Sequence, residues 1–380
     1  MSDLILTNAE IVLADRVMTG TVVVRDGMIR DITDCRTRSR CAIDLEGDLL
    51  IPGMVELHTD NVEHHIMPRP GASWPANAAI LSHDREIAAA GITTVLNALC
   101  VGEVHSRSAR LEILHDLRDA IEHQRREGAL KADHYLHWRC EISYGGLPEL
   151  LEPLMDYENI RLVSVMDHTP GQRQFMDVAR YAEYYQGKFN MSDAELQAFI
   201  DARKADQARY SARNRDLVVA WSQARGIPLA SHDDATVEHV SEAVRDRMAI
   251  AEFPTTVESA RASHDAGLAV LMGGPNLVRG ASHNGNVSAR DLGRLGLLDI
   301  ISSDYVPASL LYGALLLERE VEGIELPQAI ATVTRNPARA VGFEDRGEIA
   351  PGLRADLLQV RRTAGAPVVR AVWRCGERVA

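Results

Sequence analysis

The sequence lacks the features that would mark a secreted or membrane-spanning protein. Its five cysteines are scattered and odd in number, and no two of them form a CxxC pair, so we predict a reduced, cytoplasmic setting without a disulfide framework. No apolar run reaches the roughly 18 residues that span a membrane. The N-terminus has no basic region followed by an apolar run, so we expect neither a transmembrane helix nor a signal peptide.

Positive charge is also in short supply. The chain has 41 Lys and Arg residues against 54 Asp and Glu, which gives a net charge of -13 at pH 7. Nucleic-acid and membrane-surface binders need a basic face, so the charge balance argues against both partners. A small anionic substrate stays compatible with it, because a local Arg cluster or metal ions can reverse the field within a cleft.

The two ends of the chain both carry short β-strand patterns. Residues 4–50 are rich in Val and Ile, and Asp26-Gly27 is a strong hairpin signal. The residues after Gly347 again form short apolar runs separated by Gly turns. We therefore predict that residues 1–50 and 343–380 pair into one small β-sandwich domain.

The middle of the chain, residues 51–342, alternates strand and helix patterns, which indicates a parallel sheet. Eight such units suit a closed (β/α)₈ TIM-like barrel, so the predicted fold class is α/β. A doubly wound sheet is the alternative, and it is weakened because no GxGxxG follows an early strand. The eight apolar runs are 51–59, 92–98, 134–141, 160–167, 227–232, 248–252, 268–273 and 299–304.

One connection is unusually long. The segment around 169–215 is rich in Tyr, Arg and Gln, and Ser192 with Glu195 forms a capping box within it. Inserts of this length usually have a task such as covering a site. We predict a helical insert here, with a plain surface excursion as the alternative.

Polar residues cluster at the predicted strand ends, where a barrel carries its active site. Charged groups avoid burial unless they are paired or bind metal, so this pattern predicts a metal centre. Imidazole with carboxylate suits Zn²⁺, Mn²⁺ or Fe²⁺, and the number of groups suits two ions bridged by a carboxylate. The residues at these ends are His58, Asp60, Glu141, Asp167, His168, His232, Asp233, Asp234 and Asp304.

Three stretches resemble the amidohydrolase superfamily. They are IPGMVELHTD at 51–60, SSD at 302–304 and GEIAPGLRADLLQV at 347–360. Members usually begin their site with HxH and bridge the metals with a carboxylated Lys. This chain has Asp60 in place of the second His, and the resemblance implies Glu141 as the stand-in for the Lys.

Longer blocks resemble one family closely, the ribose 1-methylphosphonate 5-triphosphate diphosphatases of the carbon–phosphorus lyase pathway of phosphonate catabolism. The blocks run nearly from end to end and include PRPGASWP (68–75), SVMDHTPGQRQF (164–175), LASHDDAT (229–236) and MGGPNLVRGASHNGN (272–286). The resemblance implies hydrolysis of the 5-triphosphate to the 5-phosphate and pyrophosphate.

The family pattern also implies a role for each site residue. The metal ligands would be His58, Asp60, Glu141, His168, His232 and Asp304, and Asp304 would also take the proton of the attacking water. Asp167, Asp233 and Asp234 would orient neighbouring His rings or form turns. The candidates for binding the anionic substrate are Arg69, His83, Gln172, Arg173, Lys188, Arg279, His283 and Asn284.

Two other classes of function stay open. A hydrolase of C–N bonds would use the same barrel and metal pattern, because a fold does not fix a function. A barrel that serves only as a scaffold is the second alternative, and the full set of candidate ligands argues against it. We also expect a homo-oligomer, and association with other enzymes of the pathway is a further hypothesis.

Overall fold

The structure is a computed structural model that describes residues 3–69, 71–103, 110–173, 191–280 and 285–380. Three candidate substrate residues, Lys188, His283 and Asn284, lie outside these ranges. Within them, no helix combines the length and the apolar character needed to cross a membrane.

The two ends of the chain form one mixed sheet, the small β-sandwich. Its strands are β1 (Leu4–Val12), β2 (Val17–Arg25), β3 (Met28–Thr33), β4 (Ala42–Asp44), β5 (Leu49–Pro52), β14 (Leu357–Arg361), β15 (Val368–Arg374) and β16 (Glu377–Arg378), in the order β16-β15-β14-β5-β1-β2-β3 with β4 beside β1. The antiparallel pair of β5 and β14 joins the N-terminal to the C-terminal segment. Asp26 and Gly27 both have positive φ at the β2–β3 turn, which confirms the predicted hairpin.

The middle of the chain forms the predicted barrel of eight parallel strands. They are β6 (Met54–Thr59), β7 (Ile92–Val101), β8 (Asp133–Glu141), β9 (Ile160–Met166), β10 (Leu229–His232), β11 (Ile250–Glu252), β12 (Ala269–Gly273) and β13 (Ile300–Ser302), paired in chain order. A parallel bridge between Thr59 and Asp304 links the last strand to the first. The predicted run 51–59 divides at Gly53, where an added Cβ would lie 2.2 Å from Thr93 Oγ1.

Helices cover the barrel. They are α1 (Val62–Ile66), α2 (Ala76–Ala89), α3 (Arg110–Arg126), α4 (Leu147–Leu151), α5 (Asp193–Ala224), α6 (Val237–Arg245), α7 (Val257–Asp265), α8 (Gly274–Arg279), α9 (Ala289–Arg294), α10 (Ser309–Glu320), α11 (Leu326–Ala331) and α12 (Arg335–Ala340), with a 3₁₀ turn at Glu152–Leu154. The main hydrophobic core lies between strands and helices. Another hydrophobic core, which includes Leu57, Leu96 and Leu271, fills the barrel interior.

Helix α5 is the described part of the predicted insert. It begins at Ser192, whose side chain accepts from Glu195 N while the Glu195 carboxylate accepts in return, so the predicted capping box is confirmed. The Asn214 amide donates to the carbonyl oxygens of Ile142 and Tyr144, at 2.9 Å each. The helix is thereby fixed to the turn that follows β8, next to the barrel mouth.

Candidate active site

Three imidazoles meet at the carboxyl ends of the barrel strands. His58 lies near the end of β6, His232 ends β10 and His168 follows β9 by two residues. The His58 and His232 rings stack with centroids 5.6 Å apart, and His168 meets His232 edge-on at 5.8 Å. The predicted His residues from three separate strands therefore share one site.

A carboxylate from β11 holds two of these rings. Glu252 is fully buried, and its two oxygens accept hydrogen bonds of 2.7 Å from Nδ1 of His58 and from Nδ1 of His232. Ser164 Oγ donates a third, also of 2.7 Å. Burial alone would raise the pKa of Glu252, but His58, His137 and these hydrogen bonds hold it well below its usual value. An ionised Glu252 fixes the proton on each Nδ1 and leaves each Nε2 as an acceptor.

The third ring is held in the same way. Nδ1 of His168 donates to Glu141 at 2.7 Å, and Ser143 Oγ donates to the other Glu141 oxygen at 2.6 Å. Burial works to raise the pKa of Glu141, but the His168 contacts and Ser143 lower it below its usual value. Both Glu141 oxygens therefore have donors within the protein, and Glu141 orients the His168 ring. Each carboxylate oxygen has a second lone pair, so the role of Glu141 as a metal ligand stays a prediction.

Asp233 lies on the opposite side of the rings. Its Oδ2 is 3.3 Å from His232 Nε2 and 3.9 Å from His168 Nε2. This oxygen is buried and has no hydrogen-bond partner among the described residues. A buried carboxylate oxygen without a donor is costly, so the position calls for a cation, and two imidazole nitrogens with a carboxylate suit a divalent metal.

Two further carboxylates stand at the junction of β13 and β6. The backbone N–H of Asp304 donates to His58 O at 3.1 Å. Burial, and next the charge of Asp60, raise the pKa of Asp304 to about 7. Asp60 also faces two guanidinium groups, those of Arg110 at 3.6 Å and Arg139 at 3.7 Å.

Three residues that follow the strands share one backbone conformation. Asp233, Phe253 and Asp304 have φ values of 58°, 55° and 54°, in the left-handed region. Their N–H groups donate to carbonyl oxygens of the next strand at 2.8, 2.9 and 3.1 Å. Each such residue costs on the order of 1 kcal/mol, and such conformations persist where the surrounding structure enforces them, often at active sites.

Known proteins are similar to this chain in sequence and in fold. The alpha-D-ribose 1-methylphosphonate 5-triphosphate diphosphatase of Escherichia coli (strain K12) is 47% identical over 377 residues, which cover 99% of this chain and 100% of that one. A sequence model of the amidohydrolase family matches residues 191–380. The chain belongs to the amidohydrolase family. The resemblance that the sequence motifs indicated is confirmed.

Solved structures agree with the fold of this amidohydrolase. The 5-methylcytosine deaminase from Klebsiella pneumoniae liganded with phosphonocytosine has a TM-score of 0.63 and 17% identity, with 99% of this chain and 98% of that one covered. The dihydropyrimidinase from Brevibacillus agri NCHU1002 has a TM-score of 0.58 and 14% identity, with 99% and 95% covered. At these identities the likeness supports the barrel and the small β-sandwich and says nothing of the substrate.

The predicted substrate residues are not all in the mouth of this amidohydrolase. Arg173 is buried in an ion pair with Asp234, and it also donates to Ser231 Oγ at 3.2 Å and His232 O at 3.4 Å. It therefore holds the start of the segment that follows β9 against strand β10. Asp234 pairs with this Arg and accepts from Ser231 Oγ at 2.7 Å, and the two roles predicted for it, in a turn or beside a His ring, stay predictions.

The remaining candidates divide between the surface and the turns. Arg69 and Arg279 are exposed, and Gln172 is half-buried. Asp167 accepts from Thr169 N at 3.0 Å, as the turn residue that was one of its two predicted roles. In the described ranges, none of these four side chains makes a hydrogen bond or an ion pair with the three imidazoles.

Sequence reasoning missed two residues of the site. Glu252 ends the predicted strand 248–252, so the strand-end rule that found His232 could also have found it. Arg139 lies two residues from Glu141 on β8 and therefore on the same face of the strand. The alternation of side chains would have placed it in the barrel mouth.

His83, predicted to line the site, is instead fully buried on α2 and belongs to a directional hydrogen-bond chain. Asn61 donates to its Nδ1 at 3.4 Å, and its Nε2 donates to Asn97 Oδ1 at 3.2 Å. Asn97 in turn donates to His134, whose Nε2 donates to Asp84. Burial first, and then His134 and His65, keep the pKa of His83 well below its usual value.

From the buried His83 in this series of hydrogen bonds, we predict that the stability of the protein depends on pH. The pKa of His83 is depressed in the folded state, so unfolding takes up a proton below about pH 6.5 and stability falls as the pH falls. One such group changes the free energy of unfolding by at most about 1.4 kcal/mol per pH unit. His83→Gln should be less stable at neutral pH, yet its free energy of unfolding should change less between about pH 7 and pH 5. Urea unfolding with a chelator present measures both, and parallel pH curves would contradict the assignment.

Proposed function

We propose that this amidohydrolase hydrolyses alpha-D-ribose 1-methylphosphonate 5-triphosphate to the 5-phosphate and pyrophosphate. The observation that carries the proposal is the 47% identity, over essentially both full lengths, to the Escherichia coli diphosphatase of that name. The reaction consumes one water, whose oxygen joins phosphorus while one P–O bond of the α,β-bridge breaks. The water's protons are left on the two products or the solvent.

We propose that the imidazoles and the facing carboxylates hold two divalent ions. The supporting features are the Nε2 atoms that stay available once Glu252 and Glu141 hold each Nδ1, and the buried oxygen of Asp233. The proposed ligands are His58, Asp60, His168, His232, Asp233 and Asp304. Bound ions would polarise the phosphoryl oxygens and lower the pKa of a water.

The protein's own groups would then perform the remaining tasks. The Asp304 carboxylate, fixed by the β13–β6 junction, would take the proton of the attacking water. Glu252 and Glu141 would keep the rings in one tautomer throughout the reaction.

A phosphorus NMR time course tests the proposal directly. The metal-loaded protein is given ribose 1-methylphosphonate 5-triphosphate, with ATP, an N-acyl sugar and a cyclic amide as parallel substrates. We expect pyrophosphate and the sugar 5-phosphate from the first, much faster than any product from the others. Turnover of an amide with no pyrophosphate from the triphosphate would contradict the proposal and favour a C–N hydrolase.

We also propose a reducing, cytoplasmic setting. All five cysteines are free thiols in the structure, and Cys35, Cys41 and Cys375 are exposed. Exposed thiols without a bridge are typical of proteins that stay in a reducing compartment. The homo-oligomer and the association with other pathway enzymes stay predictions.

A further inference from the structure

Arg139 projects into the barrel mouth from β8. It shares a strand face with His137 below and Glu141 above, because side chains alternate along a strand. Its side chain is 10% exposed. Among the described residues, the carboxylate that pairs with it is that of Asp60, 3.7 Å from Nη1, which is an ion pair without a hydrogen bond.

The guanidinium of Arg139 has donors to spare. Its Nε and Nη1 are buried and have no hydrogen-bond acceptor among the described residues. A buried donor without an acceptor is unfavourable, and a guanidinium presents five donors in a fixed planar fork. The position therefore calls for an acceptor that the described part of the protein does not itself supply.

Two neighbouring arginines differ in this respect. Arg110 donates from Nε to Glu63 at about the length of a normal hydrogen bond, 2.9 Å. Arg173 is paired with Asp234 and Glu242. Both guanidinium groups thus have carboxylate partners in contact. The guanidinium of Arg139 instead lies beside the proposed metal ligands.

Arg139 places a positive charge beside the acids of the mouth, with Asp60 at 3.7 Å. A cation among proposed metal ligands repels the ions and weakens the site unless a bound anion offsets it. A substrate with a triphosphate group brings such an anion.

We propose that Arg139 binds non-bridging oxygens of the triphosphate at the phosphorus under attack and is therefore a catalytic residue that selects a phosphoanhydride over a neutral amide. The inference rests on the proposed function and deepens it. A planar guanidinium fits two phosphate oxygens at once, and it stabilises the negative charge that the oxygens carry during phosphoryl transfer. A neutral amide offers this group no such charge.

Arg139→Gln and Arg139→Lys test the proposal, with Arg118→Gln as the matched control. Arg118 lies on α3 with a side chain that is 11% exposed, so it is buried to the same extent but outside the mouth. We expect Arg139→Gln to lower kcat/KM for pyrophosphate release by about 10³-fold, the lower end for an arginine that contacts the transferred phosphoryl group. Arg139→Lys should recover only a minor part, because an ammonium on a flexible stem lacks the planar fork that holds two oxygens side by side. The control should keep wild-type activity.

Two more readouts separate this role from a structural one. Guanidinium ion should restore part of the activity of Arg139→Ala and none of that of Asp304→Asn. The bound metal per chain should stay at the wild-type value in Arg139→Gln and Arg139→Lys. Metal lost in proportion to activity, or kcat/KM within about threefold of wild type, would overturn the proposal.

A binding measurement distinguishes failure of this inference from failure of the proposed function. Inorganic tripolyphosphate is titrated calorimetrically into the metal-loaded wild type, Arg139→Gln and Arg118→Gln. We expect binding to weaken at least about 30-fold in Arg139→Gln alone, a loss typical of a charge-assisted hydrogen bond to phosphate. A wild type that binds tripolyphosphate through Arg139 but releases no pyrophosphate would refute only the proposed reaction. Equal binding by all three proteins would refute the role of Arg139.

Discussion

Asp304→Asn should lower the rate of pyrophosphate release by about 10³-fold, the scale of a lost general base. The backbone of Asp304 is fixed on both sides of the carboxylate. Its N–H donates to His58 O at 3.1 Å, and its carbonyl oxygen accepts from Thr59 Oγ1 at 2.7 Å. Asn keeps this shape but takes up no proton and binds metal more weakly than a carboxylate. The bound metal per chain is therefore measured beside the rate, and a loss of rate at wild-type metal content reports the proton transfer.

The same substitution supplies its own control for folding. Asp304 is half-buried and feels the charge of Asp60, so its ionised form is unfavourable in the metal-free protein. Asn removes one of these two adjacent charges, and the metal-free variant should be at least as stable to heat as the wild type. Single-turnover phosphorus NMR gives the rate and thermal unfolding gives the stability. An Asp304→Asn protein that keeps more than about a tenth of the activity would show that another group takes the proton.

The barrel could be predicted from the sequence because its signals are local. Each apolar run is bounded by turn residues, and the polar residue after the run marks the strand end that carries the site. His58, His168, His232 and Asp304 were found in this way, and the structure brings the three rings into contact and places Asp304 at the junction beside His58.

The roles within the site could not be predicted, because they depend on which atoms meet. Glu141 and Asp233 are both carboxylates at strand ends, yet one contacts an Nδ1 and the other lies toward Nε2 atoms. Arg173 resembles a phosphate ligand in the sequence, but its partner Asp234 is 61 residues away along the chain. No local sequence pattern specifies how a ring is oriented or which residues far apart along the chain will pair.

The second large effect is expected at Glu252, because this residue holds two imidazole rings at once. Its carboxylate accepts from both Nδ1 atoms, and a glutamine offers one acceptor oxygen and one donor NH₂ in the same place. One of the two rings must then turn or move its proton to Nε2, which removes the lone pair that faces the proposed metal site. The effect should therefore fall on metal affinity first and on the chemical step only through it.

We expect Glu252→Gln to weaken divalent-metal binding by about 10- to 100-fold, the usual range for a lost orienting carboxylate. Pyrophosphate release should fall in parallel and recover in part at excess metal. Ser164→Ala is the matched control, since it removes the third hydrogen bond to Glu252 but leaves both rings held, and it should change affinity only a few-fold. Competition with a chelator at fixed pH measures the affinities. Wild-type affinity in Glu252→Gln, with activity lost, would mean that Glu252 acts on the substrate and not on the imidazoles.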